Sequence, residues 1–506
     1  MTGERYICIH GHFYQPPRED PWTGRIEQQI SAAPYHDWNE RITAECYATN
    51  VKAPILDANQ QVVKSVNNYA TMSFNFGPTL LSWIERRRPA VYRLILEADR
   101  LSRERYSGHG SAIAQVYNHM IMPLADRRDK KTQAIWGAKD FEARFGRRPE
   151  GMWLPETAVD LETLEALANA GVKFTILAPH QALRVREIGG EAWRDVSGGR
   201  IDPTEAYRCA LPSGKTVSIF FYDGPISQAI AFGDLLNNGE SFARRLHQTF
   251  HEEEDRPCLV HVATDGETYG HYRRHGEMAL AYCFHALERD GLGRLTNYGE
   301  YLETHPPARE VEIVEGSSWS CAHGVERWRA DCGCQSGMHP GWTQSWRKPL
   351  REAMDRLRDR LAAIYEEEAR PYLKDPWAAR DDYVELMLDR SAETVQRLLQ
   401  RHAVRKLGRD EREKVSRLME MEKNGLFGYT SCGWFFDEIS GIEAVQVMRY
   451  AAKAMEMARE LCGIDLEPEY AKMLEAAPSN VHGDGARVYT LLVKPARAEA
   501  QRVGAR

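Results

Sequence analysis

From Tyr6 to about residue 300 the chain alternates short apolar runs with longer amphipathic stretches, a rhythm that restricts it to a mostly parallel sheet joined by crossover helices. The apolar runs fall at 6–10, 71–76, 151–154, 172–177, 216–222 and 258–263. Several lack polar alternation, as suits strands covered on both faces. Helical patterns fill 78–99, 131–145, 161–169, 240–254 and 277–290, the third of them stopped by Gly171. Each apolar run ends at a short segment rich in His, Glu, Asp, Trp and Gly. In a β/α barrel those segments are the loops at the C-terminal ends of the strands, where such folds place chemistry.

A chain of 506 residues exceeds one compact core, and its pattern changes after residue 307. The expected division is a catalytic β/α barrel over 1–307, a Trp/Cys/Gly-rich active-site loop region over 308–349, an α-helical domain over 350–493 and a basic, frayed tail over 494–506. Within the helical domain, helices are expected at 350–368, 381–403, 411–423, 442–462 and 470–477. Lys and Arg number 66 against 73 Asp and Glu, so the net charge of −7 offers no basic field for a polyanion. Nucleic acid and membrane are therefore not expected as partners, a neutral substrate fits, and no feature fixes an oligomeric state. The start, Met1-Thr-Gly-Glu-Arg, lacks the basic, apolar and small-residue succession of an export signal. Cys8, Cys258 and Cys283 sit singly inside apolar runs, so the cysteines read as reduced and a cytoplasmic location is expected.

Four strand ends carry candidate chemistry. His10-Gly-His12-Phe-Tyr-Gln15-Pro16 sets two imidazoles on one side of an extended backbone, suited to hydroxyl recognition, to metal ligation, or simply to a hydrogen-bonded pair. In Trp153-Leu-Pro-Glu156 the proline fixes the exit from the strand, so Glu156 projects with little freedom; a first-turn helical glutamate is the plainer alternative. Ser218-Ile-Phe-Phe-Tyr-Asp223-Gly-Pro places one acid just outside a buried strand, where desolvation raises a carboxyl pKa and favours a proton donor, although Asp-Gly-Pro is also turn chemistry. Asp265-Gly-Glu267-Thr-Tyr-Gly-His271 gathers two carboxylates and an imidazole, or forms a turn. Their joint placement in one alternating domain is what makes them a site. Glycoside cleavage with retention needs two carboxyls about 5 Å apart, one as nucleophile and one as acid/base.

In order and spacing these motifs resemble glycoside hydrolase family 57 from Tyr6 to about Pro307. The family's first motif stands at His10, His12, Gln15 and Pro16, its Trp-Leu-Pro-Glu motif at 153–156, its strand-borne aspartate at Asp223 and its Asp-x-Glu motif at 265–270. The resemblance implies an α/β fold, a distorted TIM-like (β/α)7 barrel followed by an all-α C-terminal domain. It implies Glu156 as nucleophile and Asp223 as general acid/base of a retaining glycoside hydrolase or transglycosylase acting on α-glucans or maltooligosaccharides, without a cofactor. His10, His12, Gln15 and Trp153 are expected to bind substrate, together with Asp265, Glu267 and His271. The resemblance adds Trp434, in Ser431-Cys-Gly-Trp-Phe-Phe-Asp437, as a contributor to the sugar site, and takes the rest of the C-terminal half as an uncharacterised domain of one branch of the family. Trp319 is one of four tryptophans of the loop region, with Trp328, Trp342 and Trp346, whose faces suit a glucan chain or loop packing. The second motif departs from the pattern, because Gly108-His-Gly-Ser111, followed by Tyr117-Asn-His119, carries serine where the family has glutamate.

Two other functions have support in the residues. Ser111 motivates a glucan-binding or regulatory protein with little catalysis. His271-Tyr-Arg-Arg-His275 sets two imidazoles at helical spacing which, with His10 and Asp265, would suit a zinc-dependent carbohydrate enzyme of deacetylase-like or mannosidase-like type. Cys321-Ala-His323 and Cys332-Gly-Cys334 offer a Cys3His set, but their spacing is tighter than usual for zinc, so loop-lining thiols are expected and no metal is assigned.

Overall fold

Seven short parallel strands carry the N-terminal architecture: β1 (Arg5–Phe13), β2 (Ser73–Phe76), β3 (Ala114–Gln115), β4 (Met152–Trp153), β5 (Phe174–Leu177), β6 (Thr216–Phe221) and β7 (Cys258–Asp265). The computed structural model describes residues 4–250 and 256–498. β1 is central and pairs in parallel with β7, Tyr6 opposite Leu259, with β2, His10 opposite Ser73, and with a further parallel strand, Arg294–Leu295, Ile7 opposite Leu295. Phe74 bridges to Ala112 just before β3, Gln115 of β3 lies opposite Trp153 of β4, Gly151 bridges to Phe174, and Leu177 of β5 lies opposite Phe221 of β6. A backbone hydrogen bond of 2.8 Å from Asp223 N to His261 O joins the end of β6 to β7. Ile7, Ile9, Ile176, Ile219, Val260 and Val262 are buried, which is why these runs show no polar alternation.

β3 lies between expected helices and has no counterpart among the expected strands. Only two of its residues pair, too few to leave a periodic signal. The expected helix at 78–99 is two helices, Pro78–Arg87 and Pro89–Arg105. Pro89 brings no N–H and pushes Arg88 out of the helical region, so the chain breaks there. The helix expected at 240–254 is observed as Gly239–His247, and residues 251–254 of that expectation lie outside the described residues. Beyond β5 and β6 the sheet continues through Ala206–Ala210, Arg309–Ile313, Ala182–Glu187 and Arg194–Asp195, an extension with antiparallel pairs.

The chain divides into two compact units, each assembled from separate stretches of sequence. One comprises Met1–Gln15, Gln28–Val116 and Phe141–Glu315; the other comprises Pro16–Glu27, Tyr117–Asp140 and Gly316–Arg506. The second unit is helical, built on Arg347–Ala369, Arg409–Phe427 and Ile442–Cys462, which pack along one another. The helix expected at 381–403 is three, Pro376–Asp382, Val384–Leu388 and Ala392–His402, the last capped by the Ser391 side chain. Residues 494–498, expected to fray, continue a helix, and Arg497 pairs with Glu456 at 2.7 Å; 499–506 lie outside the described residues.

Early segments belong to this unit because of what they bury. Trp136 is fully buried and its indole donates to Arg380 O at 3.0 Å. Arg380, itself buried, reaches Asp129 and Glu422, both at 2.8 Å, and Thr132 Oγ1 at 3.0 Å. Burial pushes the Glu422 carboxyl up to about 7 even against this guanidinium. Glu19 O accepts from Gln446 Nε2 at 2.8 Å and from Tyr450 OH at 3.1 Å, which ties in residues 16–27. Among the described residues no helix is long and apolar enough to cross a membrane.

Candidate active site

The strand ends of the first unit converge as the sequence pattern expects. In register, His12 of β1 lies beside Asp265 of β7 and Asn75 of β2, while Gln115 of β3 lies beside Trp153 of β4. Asn75, fully buried, organises this rung. Its amide nitrogen donates to His12 Nδ1 at 2.9 Å and to Gln115 Oε1 at 2.8 Å, and its oxygen accepts from His10 Nε2 at 3.1 Å. His10 Nδ1 then accepts from Ser73 Oγ at 2.9 Å. These partners fix both tautomers: His10 carries its proton on Nε2, and His12, acting as acceptor at Nδ1, also carries it on Nε2. Burial pushes both imidazoles down to about 3, so both are neutral near pH 7. Trp153 stacks on His10 and His12 at ring separations of 5.1 and 4.8 Å.

Glu156 sits on a short turn, Pro155–Thr157, in the left-handed region at φ 56, and Thr157 follows at φ 49. Two successive non-glycine residues there cost on the order of 1–3 kcal/mol each, so the surroundings must hold them. Gln181 does this: Thr157 Oγ1 donates to Gln181 Oε1 and Gln181 Nε2 donates to Thr157 O, both at 2.8 Å. Asp223 caps the helix Gly224–Ala231, accepting from Ile226 N at 2.8 Å, so it fills its turn-forming role as well as ending a buried strand. Burial nonetheless raises its pKa, outweighing that hydrogen bond and the charge of Arg245.

Asp265, the last residue of β7, is exposed while neighbouring protein crowds its carboxyl. The crowding, with the negative charge of Glu156 next, pushes its carboxyl up to about 7. Glu267 is buried and pushed up to about 8, first by burial and then by Asp265. It accepts from Tyr47 OH at 2.5 Å and from Tyr14 N at 2.9 Å, which makes it a support for the β1 end. Gln15 is buried, its amide donating to Tyr14 O at 2.9 Å.

His271 pairs with Glu45 on a turn, and His275 caps the following helix, Gly276–Arg289, at φ 63, so the two imidazoles do not share a helix face. With both ring nitrogens of His10 taken by Ser73 and Asn75, the zinc set of His10, Asp265, His271 and His275 has no geometric support. Trp319 and Trp434 belong to the helical unit. Trp434 is a core side chain, its indole donating to Arg347 O at 3.2 Å, while Trp319 is half-buried. His119 also belongs there, 2.6 Å from Ser431 Oγ. Ser111 is buried on the N-terminal side of β3, with its carbonyl accepting from Phe74 N at 3.0 Å.

Asn75, Gln115 and Gln181 did not stand out in the sequence. The available signal was a polar amide within or beside an apolar run, as in Ser73-Phe-Asn-Phe76, where burial demands satisfied hydrogen bonds. Asn75→Leu leaves the His10 N–H, His12 Nδ1 and Gln115 Oε1 without their partner, so a loss of about 3 kcal/mol or more is expected in chemical denaturation. A variant as stable as the parent would refute the network.

An α/β frame with acids and neutral imidazoles at the ends of its parallel strands is thus the class of protein defined by fold and site. The model of glycosyl hydrolase family 57 matches residues 12–314, and that of a domain of unknown function, DUF3536, matches 342–506. The chain belongs to glycosyl hydrolase family 57. An alpha-amylase of Pyrococcus horikoshii is 21% identical over 282 residues, covering 53% of this chain and 41% of that protein, so less than half the relative's length is spanned. Among solved structures, an exo-type maltose-forming amylase from Pyrococcus sp. ST04 matches with a TM-score of 0.70 at 16% identity, covering 94% of this chain and 84% of that one. A family-57-type branching enzyme from Pyrococcus horikoshii matches with a TM-score of 0.57 at 14% identity, covering 98% and 94%. At these identities the likeness is one of fold.

Proposed function

We propose that the protein is a retaining enzyme that cleaves or transfers α-1,4-linked glucose units, with Glu156 as nucleophile and Asp223 as general acid/base. The observation that carries this reading is the meeting of carboxyls with uncharged hydrogen-bonding side chains at consecutive strand ends. The seven strands, linked pairwise from β1 through β6 and back to β7 by the Asp223 to His261 bond, are read as one distorted (β/α)7 barrel with these ends at its catalytic mouth. Neutral His10 and His12, packed on Trp153, suit a neutral sugar better than a charged ligand. Family membership and the amylase and branching-enzyme names of its relatives support the glucan substrate class. The burial of Cys8, Cys46, Cys209 and Cys283 as thiols supports a reducing, cytoplasmic setting.

In the first step Glu156 attacks the anomeric carbon while protonated Asp223 gives its proton to the departing glycosidic oxygen. The raised pKa of Asp223 keeps a larger fraction of the acid form available for this. Ionised Asp223 then takes a proton from water or from a sugar hydroxyl, which releases the glycosyl group from Glu156. Incubation with maltooligosaccharides and chromatography of the products tests the reading: shortened, lengthened or branched chains support it, and an unchanged substrate after long incubation overturns it.

The pH profile follows from Asp265. Below about 7 its carboxyl is protonated; above that it ionises and sets a second negative charge beside Glu156. Turnover is therefore expected to fall as pH rises through this value, and Asp265→Asn to remove that alkaline limb from kcat/KM. An alkaline limb unchanged in the variant would assign it to another group. Stability shifts in the same direction. Asp265 and Glu267 hold protons that the unfolded chain has released, so both subtract stability as pH climbs from about 4 towards about 8.

A further inference from the structure

In the helical unit, the loop between residues 316 and 346 brings together the four side chains whose spacing argued against metal. One ligand atom from each of Cys321, His323, Cys332 and Cys334 lies within 4.8 Å of all the others. Cys321 Sγ is 3.9 Å from Cys332 Sγ and 3.8 Å from Cys334 Sγ, and Cys334 Sγ is 3.7 Å from His323 Nδ1. A tetrahedral zinc ion with Zn–S near 2.3 Å and Zn–N near 2.0 Å has sulfur–sulfur edges of about 3.8 Å and sulfur–nitrogen edges of about 3.6 Å. The three measured separations match the edges of that tetrahedron. They are nearly twice the roughly 2.05 Å of a disulfide, and three sulfurs at one point cannot all pair.

The backbone explains how so tight a spacing works. Cysteines one residue apart on an extended strand would stand about 6.6 Å apart along it. Gly333, at φ 81, folds the chain so that Cys332 and Cys334 turn to one centre, and glycine adopts that conformation at no steric cost. Gly324, at φ 82, reverses the chain after His323, and a Cβ there would meet Gly316 O at 2.4 Å. The ligand segments are held from behind. Gly324 N donates to Cys321 O at 3.1 Å, and the buried Arg347 donates to Cys334 O at 2.9 Å. Arg327 and Arg347 also both donate to Phe435 O, at 2.8 and 3.2 Å, so the cluster has a cationic backing that suits thiolate ligands.

We propose that Cys321, His323, Cys332 and Cys334 bind one structural zinc ion. Four protein ligands complete the tetrahedron and leave no position for substrate, so the ion braces the loop and does not take part in sugar chemistry. One short helical turn, Glu326–Trp328, lies between Gly316 and Trp346, and the ion adds a cross-link within this largely irregular segment. His323 is exposed and Cys332 and Cys334 are half-buried, which gives the metal a way in. Binding displaces the thiol protons to solvent and adds its free energy to folding.

The test uses the full chain, produced with zinc in the medium and purified without chelator. Elemental analysis is expected to give one zinc per chain, Cys332→Ser/Cys334→Ser to lose it, and strong chelation to expose three further reactive thiols and lower Tm. Restoring Zn2+, but not Mg2+, is expected to reverse both changes. Cobalt added to the chelated protein should give the intense thiolate-to-metal absorption of a tetrahedral site. Sub-stoichiometric zinc in the parent protein without that cobalt absorption overturns the proposal, independently of the double variant's folding. Recovery of these cysteines as a disulfide by mass spectrometry without reductant overturns it as well.

Discussion

Glu156→Gln is expected to lower turnover of maltooligosaccharides by at least about four orders of magnitude, roughly 5.4 kcal/mol of activation free energy. The amide matches the carboxylate in size but cannot form the glycosyl ester. Glutamine also takes up the φ of 56 at this position at the same cost as glutamate, so the turn clamped by Gln181 persists and the loss is chemical. Asp223→Asn separates the two roles. Asparagine caps the helix Gly224–Ala231 as well as aspartate does, but it has no proton to give. Substrates with an activated leaving group should recover turnover in Asp223→Asn and not in Glu156→Gln. A fluorinated, activated glucoside should label the parent on the peptide carrying Glu156. Turnover of Glu156→Gln within tenfold of the parent would end the assignment.

The largest effect on stability is expected at Arg380. Arg380→Met leaves Asp129 and Glu422 buried with no cation between them, and removing one partner of a buried ion cluster costs about 3–5 kcal/mol. The cost depends on pH in a direction that can be checked. Glu422 stands at about 7 with its partner present and moves higher without it, so near pH 5 Glu422 is protonated and the variant loses less than at pH 8. Replacing all three residues with apolar side chains of similar volume should restore most of the loss. Denaturant midpoints at the two pH values give the comparison; equal losses at both would show that the carboxylates are not the source.

How much of this was legible in the sequence depended on whether a residue ended an apolar run. Glu156, Asp223 and Asp265 did, so their place at strand ends could be read from polarity alone. Asn75 lies within its strand and Gln115 ends a strand of two residues, so neither amide breaks a visible period, and their importance comes from partners far away in sequence. Helix breaks were legible only in hindsight: Pro89 and Ser391 split two expected helices, and each sits inside a stretch whose apolar spacing continues across it. The histidines at 271 and 275 had the right separation for a helix but precede its first turn. Trp434 was assigned by resemblance, and its burial in the helical unit follows from packing that no local pattern records. The cysteine spacing gave no sign that the four side chains meet, since a glycine at positive φ removes the constraint on which the usual spacing rests.

Because residues 117–140 and 316–506 build one unit, the order of synthesis matters. Asp129, Thr132 and Trp136 emerge from the ribosome long before Arg380 and Glu422, so the nascent chain carries an unsatisfied apolar and acidic surface while all of β4 to β7 is being made. The matched domain at 342–506 therefore begins downstream of part of its own core. Grafted alone onto another protein it would arrive without Trp136 or Asp129, so inheritance of that module is tied to the helix Arg127–Phe145 in the middle of its host.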